Sequence, residues 1–153
     1  MKALETIQTL EDTIISADAA IQKLQVVAKV NKKKAIKNAI DALSSAISSL
    51  GTSKNSAQKK LKWGGKANKY NPEKPIRKIL FSFKKENMEQ EVGKVASEIS
   101  AIAGNLESIG PEGELMINNS TNERVKMTKA FFSNIESAKK DIQKASEQTA
   151  KAV

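Results

Sequence analysis

The sequence predicts an all-α fold: an antiparallel four-helix bundle with an additional short helix in a long basic connection between the second and third long helices. Three observations predict it. Four stretches carry apolar residues at alternating steps of three and four, a spacing that keeps one stripe of a helix facing its partners. Gly, Asn and Pro punctuate the joins between those stretches, where helices stop and restart. The residues are 39% hydrophobic but only 4% aromatic, so Ala, Ile, Leu and Val must build the core. Sustained period-two alternation is almost absent, which argues against strands.

The first seam is Ile7, Leu10, Ile14, Ala17, Ile21, Leu24 and Ala28, and it predicts a helix over about 3–30. Asn31 is positioned to cap a second helix over about 32–50, with Ile36, Ile40, Leu43, Ile47 and Leu50 as its seam. Gly51 then reads as the left-handed residue past that helix. Lys32, Lys33 and Lys34 fall in its first turn, where the helix dipole disfavours cations, and they read as a solvated basic corner. Met88, Val92, Val95, Ile99, Ile102, Leu106 and Ile109 predict a third helix over about 87–109, capped by Asn87 with Gln90 three residues on and stopped by Gly110-Pro111. A fourth helix is expected over about 121–150, from the capping-box spacing of Ser120 and Glu123. Its seam runs Thr128, Phe131, Ile135, Ala138, Ile142, Ala145 and Thr149, weakening enough to fray at the end. Leu115, Met116 and Ile117 are expected to plug one end of the core.

The 153 residues suit one domain, 1–153, able to bury roughly two-thirds of its unfolded surface. With 28% charged residues the composition is globular rather than disordered. The chain contains neither Cys nor His. That removes disulfides, thiol chemistry, most zinc and haem ligation, and His acid–base catalysis. No apolar run approaches the ~18 residues of a membrane-spanning helix. The start, MKALETIQTLEDTIIS, carries acids where a secretory signal is apolar, so no targeting segment is expected and the compartment stays unknown. Gly65-Lys66 lacks the glycine, the hydroxyl residue and the strand context of a phosphate-binding loop. Glu86, Glu89 and Glu91 read as acids at a helix start, because di-metal bundles pair such glutamates with His. The overlapping sequons at Asn118-Asn119-Ser120-Thr121 are explained by turn and cap chemistry. No catalytic, cofactor or metal residues are predicted, no cofactor and no small-molecule substrate.

Charge is distributed unevenly. Residues 1–51 hold seven Lys against five acids, residues 52–85 eleven Lys or Arg against Glu73 alone, and residues 86–153 eight against eleven. The net charge of +9 is therefore concentrated in the basic, irregular segment 52–86. Within it a short helix is expected near 56–63, a turn at Gly64-Gly65, and an extended stretch through Asn71-Pro72 and Lys74-Pro75. From Pro75 a short basic amphipathic helix is expected, with Ile76, Ile79, Leu80 and Phe83 on one face, breaking near 84–87.

Lysines interleaved with rings suit an anionic partner, since charges attract phosphates while rings stack on bases or settle at a lipid interface. The candidate binding residues are Lys59, Lys60, Lys62, Trp63, Lys66, Lys69, Tyr70, Lys74, Arg77, Lys78, Lys84 and Lys85. Beside this stands a packing reading, in which Trp63, Ile79, Leu80 and Phe83 cover one end of the core and the lysines point to water.

Residues 57–63, AQKKLKW, and 83–110, FKKENMEQEVGKVASEISAIAGNLESIG, resemble one stretch of fungal N-terminal helical signalling domains. In those domains a Trp-bearing basic segment leads into a helix of similar rhythm. The resemblance covers about a third of the chain and implies helix–helix association and lipid contact. It carries over no functional residue, and the intervening Gly/Asn/Pro loop has no counterpart in the pattern. Taken together, the chain reads as a non-enzymatic binding or effector-type module whose segment 59–85 docks on lipid headgroups or nucleic acid. The alternative is a structural or protein-interaction bundle that binds a partner protein, or itself, through helix faces.

Overall fold

The computed structural model describes residues 2–63, 78–110, 112–118 and 123–153. It is mostly helical, with four long helices: α1 (Ala3–Ala28), α2 (Lys34–Trp63), α3 (Met88–Gly104) and α4 (Lys129–Lys151). Helix α2 packs on both α1 and α4, and α3 packs on α4 and, less extensively, on α1. The predicted seams meet at the centre. Leu10, Ala17, Leu24, Leu43, Leu50, Ile99, Leu106, Ile135 and Ile142 are completely shielded from solvent.

The second helix does not end at Gly51, and residues 56–63 are not a separate short helix but its continuation. The reason is a longer seam than the large aliphatics alone suggest. Ile36, Ala39, Leu43, Ala46, Leu50, Ser53 and Ala57 step by three and four, and all are at most 1% exposed. The seam passes through Gly51 without a break, and a Cβ built there meets nothing within 4 Å. Ser53 is tolerated inside because its hydroxyl donates to the Phe131 carbonyl of α4 at 2.8 Å, which satisfies a polar group that would otherwise be costly to bury. Lys54 and Glu11, charged residues that are also buried, are both engaged in polar interactions.

The helix joins are built by side chains. Asn31 is buried between α1 and α2. Its Oδ1 accepts from the Lys33 N–H at 3.0 Å and its Nδ2 donates to the Ala152 carbonyl at 3.3 Å. Lys33 is not merely solvated, because its Nζ also donates to that carbonyl at 3.2 Å, at the negative pole of α4. Helix α3 stops at Gly104 rather than at 109. Beyond it the chain tightens into i-to-i+3 turns, with Leu106 N–H on the Ala103 carbonyl and Ile109 N–H on Leu106. That geometry keeps Leu106 and Ile109 buried after the helix has ended. Asn87 makes no side-chain cap bond and instead closes a 3-10 turn, Lys85–Asn87.

The largest departure from expectation precedes α4. Residues 123–128 do not belong to that helix, since Glu114–Asn118 (β1) and Glu123–Lys126 (β2) pair as antiparallel strands, and residues 121 and 122 lie outside the described residues. Gly113, at φ 152°, leads into β1 in a conformation that favours glycine. Leu115 and Met127 are buried, so of the three residues expected to plug the core Leu115 does so, while the side chains of Met116 and Ile117 lie outside the described residues. A single side-chain period in Leu115, Val125 and Met127 is too short to register as strand pattern. The cap of α4 is Thr128, whose Oγ1 accepts from the Phe131 N–H at 3.3 Å. Ser120 lies outside the described residues. Helix α4 then persists to Lys151, with Thr149 fully buried and bonded to the Ala145 carbonyl, so its last turns are held rather than frayed.

Gly51 separates the two accounts of α2. In a helix interior with open space for a methyl group, Gly51→Ala is expected to raise stability by about 0.5–1 kcal/mol, chiefly by restricting the unfolded chain. A left-handed cap would instead lose about 1 kcal/mol. Chemical denaturation of the variant beside the parent protein reads the sign.

Candidate functional site

The basic segment is divided by the fold. Lys59 and Lys60 lie on the last turns of α2 and are exposed. Cations there offset the negative pole of a 30-residue helix, which gives them a structural use. Lys62 and Trp63 belong to the same helix end, but their side chains lie outside the described residues, as do Lys66, Lys69, Tyr70, Lys74 and Arg77 altogether. Lys78, Lys84 and Lys85 are exposed. Among the described residues none of Lys59, Lys60, Lys78, Lys84 and Lys85 takes part in an ion pair.

The expected amphipathic helix is not formed over residues 78–84, while Ile76 lies outside the described residues. Exposure alternates instead with period two: Ile79, Phe81 and Phe83 are half-buried, whereas Lys78, Leu80, Ser82 and Lys84 face solvent. Lys84 has extended backbone, φ −79° and ψ 140°. The rings of Phe81 and Phe83, two residues apart, lie 5.8 Å from each other on the inner face, as in an extended chain. Leu80, placed with Ile79 and Phe83 on the expected helical face, is fully exposed at 105%. The physical reason is the alternation of Ile79, Phe81 and Phe83, which an extended strap can bury along one side and a helix would scatter over its circumference.

Two contacts hold the strap on α1. The Ile79 N–H donates to the Gln22 Oε1 at 2.7 Å. Lys23 Nζ sits 5.6 Å from the Phe81 ring centroid and pairs with Glu98 of α3 at 2.7 Å. Gln22 is itself oriented by a bond from its Nε2 to Asp18 at 2.7 Å. This exposed Lys23–Glu98 pair contributes little on its own, but it ties the strap's anchor to a second helix.

Among the described residues no three carboxylates converge as a metal site, and no helix is long and apolar enough to cross a membrane. An open cleft of about 360 Å³ between α1 and α3 is lined mostly by Ser16, Ala19, Ala20, Ala101 and Ile102, and its one charged group, Glu98, is paired with Lys23. A scan against protein-family models and searches of curated proteins and of solved structures find no match. The likeness to fungal N-terminal helical signalling domains therefore assigns no functional residue here.

The anchor makes a local prediction. In hydrogen exchange the Ile79 amide is expected to be protected, whereas those of Leu80 and Ser82 exchange freely. Gln22→Ala should speed exchange at Ile79 by roughly tenfold, the equivalent of one hydrogen bond, with little change in global melting.

Proposed function

We propose that the chain is a non-enzymatic helical binding or effector-type module, an antiparallel four-helix bundle that presents segment 59–85 to an extended anionic partner, either a membrane surface or a nucleic acid. Contacts between helices support the antiparallel arrangement. Asn38 bonds Gln148 while Ser53 bonds Phe131, so rising numbers in α2 meet falling numbers in α4. Ser146 bonds Ala96 while Lys139 bonds Ile109, so α3 and α4 run oppositely too.

The observation that carries the functional reading is the exposure of Lys59, Lys60, Lys78, Lys84 and Lys85, none of them in an ion pair among the described residues. Their positions also constrain the partner. Helix α2 leaves the 29–33 link and carries Lys59 about 38 Å along the bundle at 1.5 Å per residue, whereas Ile79 is pinned at Gln22, only six residues before the end of α1. The two lysine groups are thus roughly 30 Å apart. That is several times the ~8 Å screening length of physiological salt, so they act as separate attractions rather than one field. A small ion cannot engage both, whereas a bilayer or a polynucleotide can.

Binding to anionic vesicles and to oligonucleotides across a salt series tests the reading. Lys59→Glu with Lys60→Glu, and Lys78→Glu with Lys84→Glu and Lys85→Glu, should each weaken binding, by about fivefold per lysine at a lipid surface. The combined variant should bind most weakly, the Lys78, Lys84 and Lys85 variant should melt like the parent, and the Lys59 and Lys60 variant should lose about 1 kcal/mol of stability, because its new acids face the negative pole of α2. Absence of binding by the intact protein at low salt overturns the proposal.

A further inference from the structure

Beyond attraction by charge, the strap has a free backbone edge. In an extended chain a residue's N–H and C=O point to the same side, and successive residues alternate sides. The Ile79 N–H meets Gln22, so the edge shared by Ile79, Phe81 and Phe83 is the one turned to α1. Leu80 and Ser82 therefore direct their N–H and C=O groups to the opposite edge. Neither residue makes a hydrogen bond among the described residues. An extended segment anchored on one edge by the Ile79 N–H, with its solvent edge unpaired, is a template for another strand.

We infer that residues 78–84 recruit a protein partner by strand addition, and that the added strand is acidic at both ends with an apolar residue between. The side chains set that pattern. The outward row reads Lys78, Leu80, Ser82, Lys84, so an antiparallel strand beside it must offer an acid opposite each lysine, an aliphatic residue opposite Leu80 and a small one opposite Ser82. The fully exposed Leu80 gains an apolar neighbour in this way. A second copy of the strap is a poor occupant. Antiparallel self-pairing about Phe81 sets Lys78 against Lys84, and parallel pairing in register sets each lysine against itself, both of which repel.

The test uses the intact protein and a blocked, fluorescent heptapeptide, ETSTITE, with the charge-reversed peptide KTSTITK as control. Ser82 is exposed and its N–H has no partner, so Ser82→Pro should leave melting unchanged while removing a donor from the free edge. Ser82→Ala keeps that donor. Wild type and Ser82→Ala are expected to bind ETSTITE within twofold of each other, Ser82→Pro at least tenfold more weakly, and KTSTITK not at all. N-methylation of alternate peptide amides should cause the same loss without altering the protein. If Ser82→Pro and the N-methylated peptide bind like their parents, the attraction is charge alone and strand addition is wrong. It is equally overturned if wild type fails to bind ETSTITE at millimolar concentration, whatever vesicles or oligonucleotides do.

Discussion

The seam from Ile36 to Ala57 governs the rest of the molecule. Its seven residues keep one face of α2 inside over more than six turns, and three of them are alanine, which lets neighbouring helices approach closely. Because Ser53 can donate to Phe131, the polar position in that row does not interrupt it. The uninterrupted helix fixes where α1 and α4 lie, and it delivers Lys59 and Lys60 to the end of the molecule far from the 29–33 link. A helix that stopped at Gly51 would have left those lysines in the same loop as Lys78 and Lys84.

The second constraint is the way the chain returns to α3. Residues 78–84 have three apolar side chains to shield and a long helix surface to shield them on. An extended strap does this with Ile79, Phe81 and Phe83 on one side, leaving Lys78, Leu80, Ser82 and Lys84 outside. Burial and display are thus two faces of one short segment. Packing and exposure of these residues are compatible once the segment is extended: the rings serve the core, and the lysines and Leu80 stay at the surface, where the proposed partner would meet them.

Much of the architecture was legible in residue spacing, and what was missed has physical causes. The α1 and α3 seams were visible because large aliphatics fill nearly every inward position. Four of the seven residues in the α2 seam are Ala or Ser, which carry little hydrophobic signal, so Gly51 looked like an end. Counting Ala39, Ala46, Ser53 and Ala57 with Leu43 and Leu50 would have carried the helix through. The hairpin before α4 has strands of five and four residues, too few for alternation to outweigh the capping-box spacing of Ser120 and Glu123. In the basic segment the composition located the charge correctly but not its geometry. Ile79, Leu80 and Phe83 fit a helical face as well as Ile79, Phe81 and Phe83 fit an extended one, and it is the packing of Phe81 against the core, with the Gln22 anchor on α1 distant in sequence, that selects the extended form.

The central claim is that α2 holds the two exposed lysine groups at opposite ends of the molecule. The chain contains no cysteine, so single cysteines introduced at Lys59 and Lys84 can be spin-labelled without interference. Pulsed electron-resonance distance measurement between them should give a single population near 35 Å, as the helical rise over residues 34–59 requires. A distance below about 20 Å, which a helix ending at Gly51 and a single basic patch would produce, contradicts the account.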